Sequence, residues 1–166
     1  METTPWMDYA KALVGTTEIK GSKHNPEIVQ FWKDIKRGGI KDDETPWCAA
    51  FVGACLEKAG IVSSRLEAAR SYEKFGVRLE KPAYGCIAVY SRKTATGWGG
   101  HVGFVVGVNL DGSLRVLGGN QQDAVNVSSF RETKTLRLLS LCYPVGYTPR
   151  YITADALVAQ NSTKQD

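Results

Sequence analysis

Cys48 stands at the front of the apolar run Trp47 to Leu56, three positions after Thr45 and two after Pro46. Thr followed by Pro is a helix opening, with the hydroxyl as cap and the proline in the first turn. A thiol in the first turn of a buried helix meets unpaired N–H groups and the positive end of the dipole, and both favour the thiolate. His101 opens an alternating apolar segment directly after Gly97, Trp98, Gly99 and Gly100, a place where an imidazole can face an open cleft. Thiol attack on an amide needs a base that takes the thiol proton and returns it to the leaving amine, and a third polar group that holds the ring. Asn120, at the end of the next apolar segment in Gly118-Gly119-Asn120-Gln121, is the candidate for that group, because across a hairpin the start of one strand lies beside the end of the next. Taken singly, each residue has a plainer reading: Cys48 as a small core residue, His101 as a strand-end histidine, Asn120 as a turn residue. Their order and settings together point to a cysteine amidohydrolase.

The elements that must position these groups change character half-way along the chain. Thr4-Pro5 starts a first helix that carries Trp6, Tyr9, Ala10 and Leu13 on one face until Gly15. Asn25-Pro26 starts a second, with Ile28, Val29, Trp32 and Ile35 inward and Gly38-Gly39 as its stop. The helix capped by Thr45 is the third, closed by Gly60, with Asp43 and Glu44 as helix-start charges. A fourth is expected from Ser63 or Ser64 through Leu66, Ala69, Tyr72 and Phe75. After Pro82 the segments Cys86 to Ser91, Val102 to Val108, Leu114 to Leu117, Ala124 to Val127 and Leu136 to Tyr143 are short and rich in Val and Leu, which is the pattern of strands. They follow one another without helices, so the sheet should be mostly antiparallel and the fold class α+β.

The 166 residues, 43% hydrophobic and 23% charged, suit one compact domain, expected over 1–150. Residues 151–166 are expected to form a tail, with a helical turn over Ala154 to Gln160 and a polar end from Asn161 to Asp166. The net charge of +4 is spread over both halves and makes no nucleic-acid stripe. No run approaches the roughly 18 apolar residues of a membrane span, and Met1 to Met7 lacks the pattern of a secretory signal. Cys48, Cys55, Cys86 and Cys142 form no C-x-x-C pair, and His24 and His101 have no paired ligand spacing. Reduced thiols are expected, and neither a metal nor a cofactor.

The segments Thr45-Pro46-Trp47-Cys48-Ala49-Ala50-Phe51-Val52, Gly100-His101-Val102-Gly103-Phe104-Val105 and Leu117-Gly118-Gly119-Asn120-Gln121 resemble the CHAP-like branch of the NlpC-type cysteine peptidases, many of them phage endolysins and related wall hydrolases. The similarity runs from about Trp6 to about Pro149. It implies a papain-like arrangement of helices on a sheet and hydrolysis of amide bonds in peptidoglycan, with Cys48 as nucleophile, His101 as general base and Asn120 as the residue that orients the imidazole. Trp47, Trp98, Glu18 and Gln121 are candidates for substrate contact. Many CHAP domains carry a Glu two residues before the Asn, where this chain has Gly118, so that carboxylate is missing or its role is supplied elsewhere. The frequent Gly-Asp before the first strand is Gly85-Cys86 here.

The expectation is thus a monomeric endolysin that cuts wall peptides through a thioester, with endopeptidase action preferred over amidase action. It would be made in the host cytoplasm and released by a separate holin to act in the periplasm or wall, with no nucleic-acid partner and no stable membrane insertion. The competing readings are a secreted antibacterial amidase effector and a catalytically silent wall-binding module.

Overall fold

The computed structural model describes residues 3–21, 23–43, 45–153 and 157–158. Three helices precede a sheet. Helix α1, Pro5–Ala12, turns Trp6, Met7 and Ala10 inward, and the Trp6 indole N–H donates to the Gly85 carbonyl at 2.9 Å. Gly85 has a φ of +79, and a Cβ there would stand 3.0 Å from Met7 Cγ, so only glycine fits this turn. The neighbouring Cys86 is fully buried, and burial pushes its thiol up to about 12. It is a core residue. Helix α2, Pro26–Asp34, is capped by the Asn25 side chain, which accepts from the Glu27 N–H at 2.8 Å. It stops before Gly38-Gly39, because Lys36 takes a left-handed φ of 66.

Helix α3, Cys48–Lys58, starts later than Thr45 would have it. The Asp42 carboxylate accepts from the Thr45 N–H at 2.7 Å, which ties Thr45 into a preceding turn, and Trp47 occupies the cap position. Cys48 is therefore the first helical residue. The expected fourth helix shrinks to a 3-10 turn, Ala69–Tyr72. Side-chain bonds take over the segment before it. Ser63 donates both its N–H and its hydroxyl to Glu57, the Ser64 N–H donates to the Tyr72 hydroxyl, and Arg65 adopts a φ of 56 that no helix accepts. Leu66 is left 44% exposed.

The sheet runs β1 (Val77–Leu79), β2 (Ile87–Thr94), β3 (Gly97–Asn109), β4 (Leu114–Gly118), β5 (Asn126–Phe130) and β6 (Leu136–Tyr143), in spatial order β1-β6-β2-β3-β4-β5 with every pair antiparallel. The architecture is α+β. Gly97 to Gly100 is not a lead-in to a strand but the strand itself, paired from Thr94↔Gly97 through Tyr90↔His101. Residues 150–152 remain tied to 82–84, through Tyr84 N–H to the Arg150 carbonyl and Ile152 N–H to the Pro82 carbonyl. Beyond them, Leu157–Val158 (β7) pairs in parallel with Val108 and Asn109. The helical turn expected over Ala154 to Gln160 is thus extended at 157–158. Its remaining residues, Asn161 to Asp166 and Glu44 lie outside the described residues.

Phe51 of α3 meets Phe104 of β3 edge to face at 6.1 Å and Phe31 of α2 at 5.8 Å. This aromatic contact seats the helix on the sheet. Gly119, just past β4, brings the backbone against the first turn of α3, where a Cβ would stand 2.7 Å from both Phe51 Cβ and Trp47 Cζ3.

Candidate active site

Cys48 is 6% exposed and sits where α3 begins. Burial raises its thiol above the ordinary value, while the N–H groups of Val102, Ala49 and Cys48 itself and the charge of Arg92 pull the other way. Val102 follows His101 on β3, so the sulfur lies against the strand that carries the imidazole. His101 is 4% exposed, its ring stacked on Phe130 with centroids 5.0 Å apart and planes 9° from parallel. Burial depresses its pKa to about 4, with the hydrogen bond that the ring donates to Gln121 opposing and the Arg92 charge adding. At neutral pH the resting pair is a thiol and a neutral imidazole.

The imidazole's partner is Gln121, not Asn120. His101 Nε2 and Gln121 Oε1 are 2.8 Å apart. The Gln121 amide nitrogen is committed elsewhere, donating to the Val116 carbonyl at 3.2 Å and to the Asn126 carbonyl and side-chain oxygen at 2.9 and 2.8 Å. Its oxygen must therefore face the ring, which assigns the proton to Nε2 and leaves Nδ1 with the free lone pair. Asn120 adopts a φ of 58 and Gln122 likewise. The left-handed step at Asn120 takes the chain out of the strand, and the next side chain, not its own, folds back over Gly118. A Cβ at 118 would collide with Gln121 Oε1 and stand 3.4 Å from His101 Nε2. The space that a side chain at 118 would fill is occupied by the Gln121 carboxamide.

The other candidate residues separate. Trp47 is fully buried and offers no surface to a substrate; its indole N–H donates to Glu18 Oε2 at 2.8 Å and its ring packs on Phe31. Glu18 is half-buried, and burial raises its carboxyl, with the Trp47 bond opposing and the charges of Asp123 and Asp43 adding. Trp98, 48% exposed, projects from the β2–β3 hairpin with the Lys93 ammonium 5.8 Å from its ring centroid. Asp43 does more than charge a helix start. Fully buried, it accepts from the Ile19 N–H at 2.7 Å, the Asn25 N–H at 2.9 Å and His24 Nδ1 at 3.1 Å. Burial alone would raise its carboxyl, but these donors outweigh it and hold the group below the ordinary range. It ties the loop after Glu18 to the start of α2.

Three contributors carried no signal in the spacing: Gln121 as the imidazole's partner, Phe130 as the surface behind the ring, and Arg92, whose guanidinium lies 5.9 Å from the Phe130 centroid. The strand expected over Ala124 to Val127 is instead Asn126–Phe130, and it is the pairing with β4 that carries it on to Phe130, whose ring lies on His101. Among the described residues, no group of three or more His, Cys, Asp or Glu is placed to hold a metal ion, and no helix is long and apolar enough to cross a membrane.

A helix-borne thiol beside a strand-borne imidazole, with the imidazole's proton position set by a carboxamide, is the arrangement of an amide-cleaving thiol enzyme. Comparison with protein families agrees: residues 40–120, which include Cys48, His101 and Asn120, match the model described as CHAP domain. This segment is similar to a CHAP domain. CHAP domains are typically cysteine- and histidine-dependent amidohydrolases or peptidases, and the match implies a hydrolase of the peptidoglycan amidase or endopeptidase type. No curated protein matches the chain, and no solved structure does. Gln121 falls one residue beyond the matched segment of the CHAP domain.

Proposed function

We propose that this protein is a peptidoglycan hydrolase in which Cys48 is the nucleophile, His101 the acid–base catalyst and Gln121 the residue that positions the imidazole. The observation that carries this reading is the His101–Gln121 hydrogen bond, which leaves Nδ1 basic on the strand that flanks the Cys48 sulfur. The thiol proton passes to Nδ1 as sulfur attacks the carbonyl of a wall peptide. The oxyanion is held by the Cys48 N–H, which as the first of a helix has no intrahelical acceptor. Collapse of the tetrahedral species transfers the proton from His101 to the leaving amine and leaves a thioester. Water, deprotonated by His101, attacks the thioester, releases the acid and restores the thiol.

Within this reading the bond cut lies in the stem peptide or cross-link, Trp98 contacts the substrate beside the hairpin, and the protein serves as an endolysin. The last point draws its support from the likeness of the Cys48, His101 and Asn120 segments to phage wall hydrolases. On this reading it is made in the host cytoplasm and reaches the wall through a holin. Digestion of diaminopimelate-type sacculi by the protein and by Cys48→Ala, followed by mass spectrometry of the soluble fragments, tests the proposal. New amino termini produced only by the unsubstituted protein are expected, and their position names the bond. Equal fragment release by both proteins, or release by neither from any wall type, would sink it.

A further inference from the structure

Arg92 is a cation of this site, and among the described residues no ion pair neutralises it. Its cross-strand neighbours on β3 and β6 are Gly99 and Leu136, so no side chain opposite it carries a negative charge. The side chain is exposed, and its guanidinium lies 5.9 Å from the centroid of the Phe130 ring, which in turn stacks on His101. That charge reaches both reacting groups, favouring the thiolate of Cys48 and disfavouring the imidazolium of His101. For a thiolate–imidazolium pair the two effects oppose one another, so the free guanidinium gives the proton transfer little net help.

A solvent-facing guanidinium packed on an aromatic ring, without a carboxylate of its own, is a receptor for a planar anion. Taking the hydrolase reading above as given, we propose that Arg92 binds a free carboxylate of the substrate peptide next to the scissile amide, so that acidic stem peptides are taken in preference to amidated ones. Bound there, the carboxylate neutralises the guanidinium, and because the charge acts in opposite senses on Cys48 and His101 the gain is in binding rather than in proton transfer.

Soluble muropeptides from diaminopimelate-type sacculi, before and after amidation of their carboxylates with carbodiimide and ammonia, supply the two substrates. Each is assayed with the unsubstituted protein, Arg92→Gln and Arg92→Lys, with unfolding temperatures measured in parallel. The unsubstituted protein should favour the free acid by about tenfold or more in kcat/KM, chiefly through KM. Arg92→Gln should bring the two substrates level by losing activity on the acid alone, and Arg92→Lys should keep part of the preference. Equal rates on both substrates with the unsubstituted protein, or an equal loss on both in Arg92→Gln, would overturn this inference and leave the hydrolase reading standing. Failure to cleave either substrate or intact sacculi would overturn both.

Discussion

Gln121 accepts a hydrogen bond from the Nε2–H of His101 at 2.8 Å across the space that a side chain at Gly118 would fill. The group bonded to the imidazole is thus a carboxamide one residue after Asn120, and its amide nitrogen is anchored in the β4–β5 connection through Asn126.

Removing that carboxamide should release the ring. Gln121→Ala is expected to lower kcat/KM on wall peptides by about tenfold to a thousandfold, whereas Asn120→Gly, at a left-handed position glycine accepts, should cost far less. Gln121→Glu places a carboxylate beside the ring, favours the imidazolium, and should move the acid limb of the pH–rate profile upward. A limb that stays in place would show that position 121 serves packing only.

Gly118→Ala should disturb the same bond from the other side. The new methyl meets Gln121 Oε1, and the strain is expected to cost about 1–3 kcal/mol of stability, read as a lowered midpoint in denaturant, together with a loss of activity. Wild-type stability in this variant would mean that the carboxamide has room to move aside.

The pH dependence follows from the burial of His101. The imidazole must be neutral to act as base, and with its pKa depressed to about 4 the acid limb of kcat/KM should fall near pH 4 rather than near the ordinary histidine value. Stability shifts in the same window. Below about pH 6.5 the unfolded chain takes up a proton that the native ring refuses, so stability is lost as pH falls from about 6.5 to about 4. A depression of this size amounts to about 3 kcal/mol. Denaturant unfolding at pH 7 and pH 4.5 should show the loss in the unsubstituted protein and much less of it in His101→Gln.

Asp43→Asn turns one acceptor oxygen into a donor facing N–H groups. With three bonds dependent on the carboxylate, a loss of about 1–3 kcal/mol is expected, with greater protease sensitivity in the loop after Glu18. The folded pKa lies below the ordinary 3.8, so this contribution is present above that value and disappears as pH falls through the depressed one. Asp43→Asn should therefore differ most from the unsubstituted protein at neutral pH.

Much of this layout was legible from residue types. Pro5 and Pro26 announce α1 and α2, the apolar run after Trp47 announces α3, and the change of period after Pro82 announces the sheet. The misses have local physical causes. Thr45 is a good cap by type, but Asp42 claims its N–H. Ser63, Ser64 and Arg65 look like a helix start, but their side chains and the left-handed Arg65 spend the same groups on Glu57 and Tyr72. Val77–Leu79 is too short to alternate visibly and becomes a strand only by pairing with β6. At the site, Cys48 and His101 stand out by chemistry, whereas the exchange of Asn120 for Gln121 depends on a backbone angle that spacing does not record.

That angle belongs to a run in which Asn120, Gln122 and Asp123 are all left-handed without being glycine, at about 1 kcal/mol each. A connection wound this way has no slack in its length. One residue added or removed between Gly118 and Ala124 would rotate position 121 away from the ring and dissolve the contacts to Asn126. Through the drift of a lineage, the hairpin tip at 95–96 is free to lengthen or shorten, whereas the β4–β5 connection should keep its residue count even where its letters change.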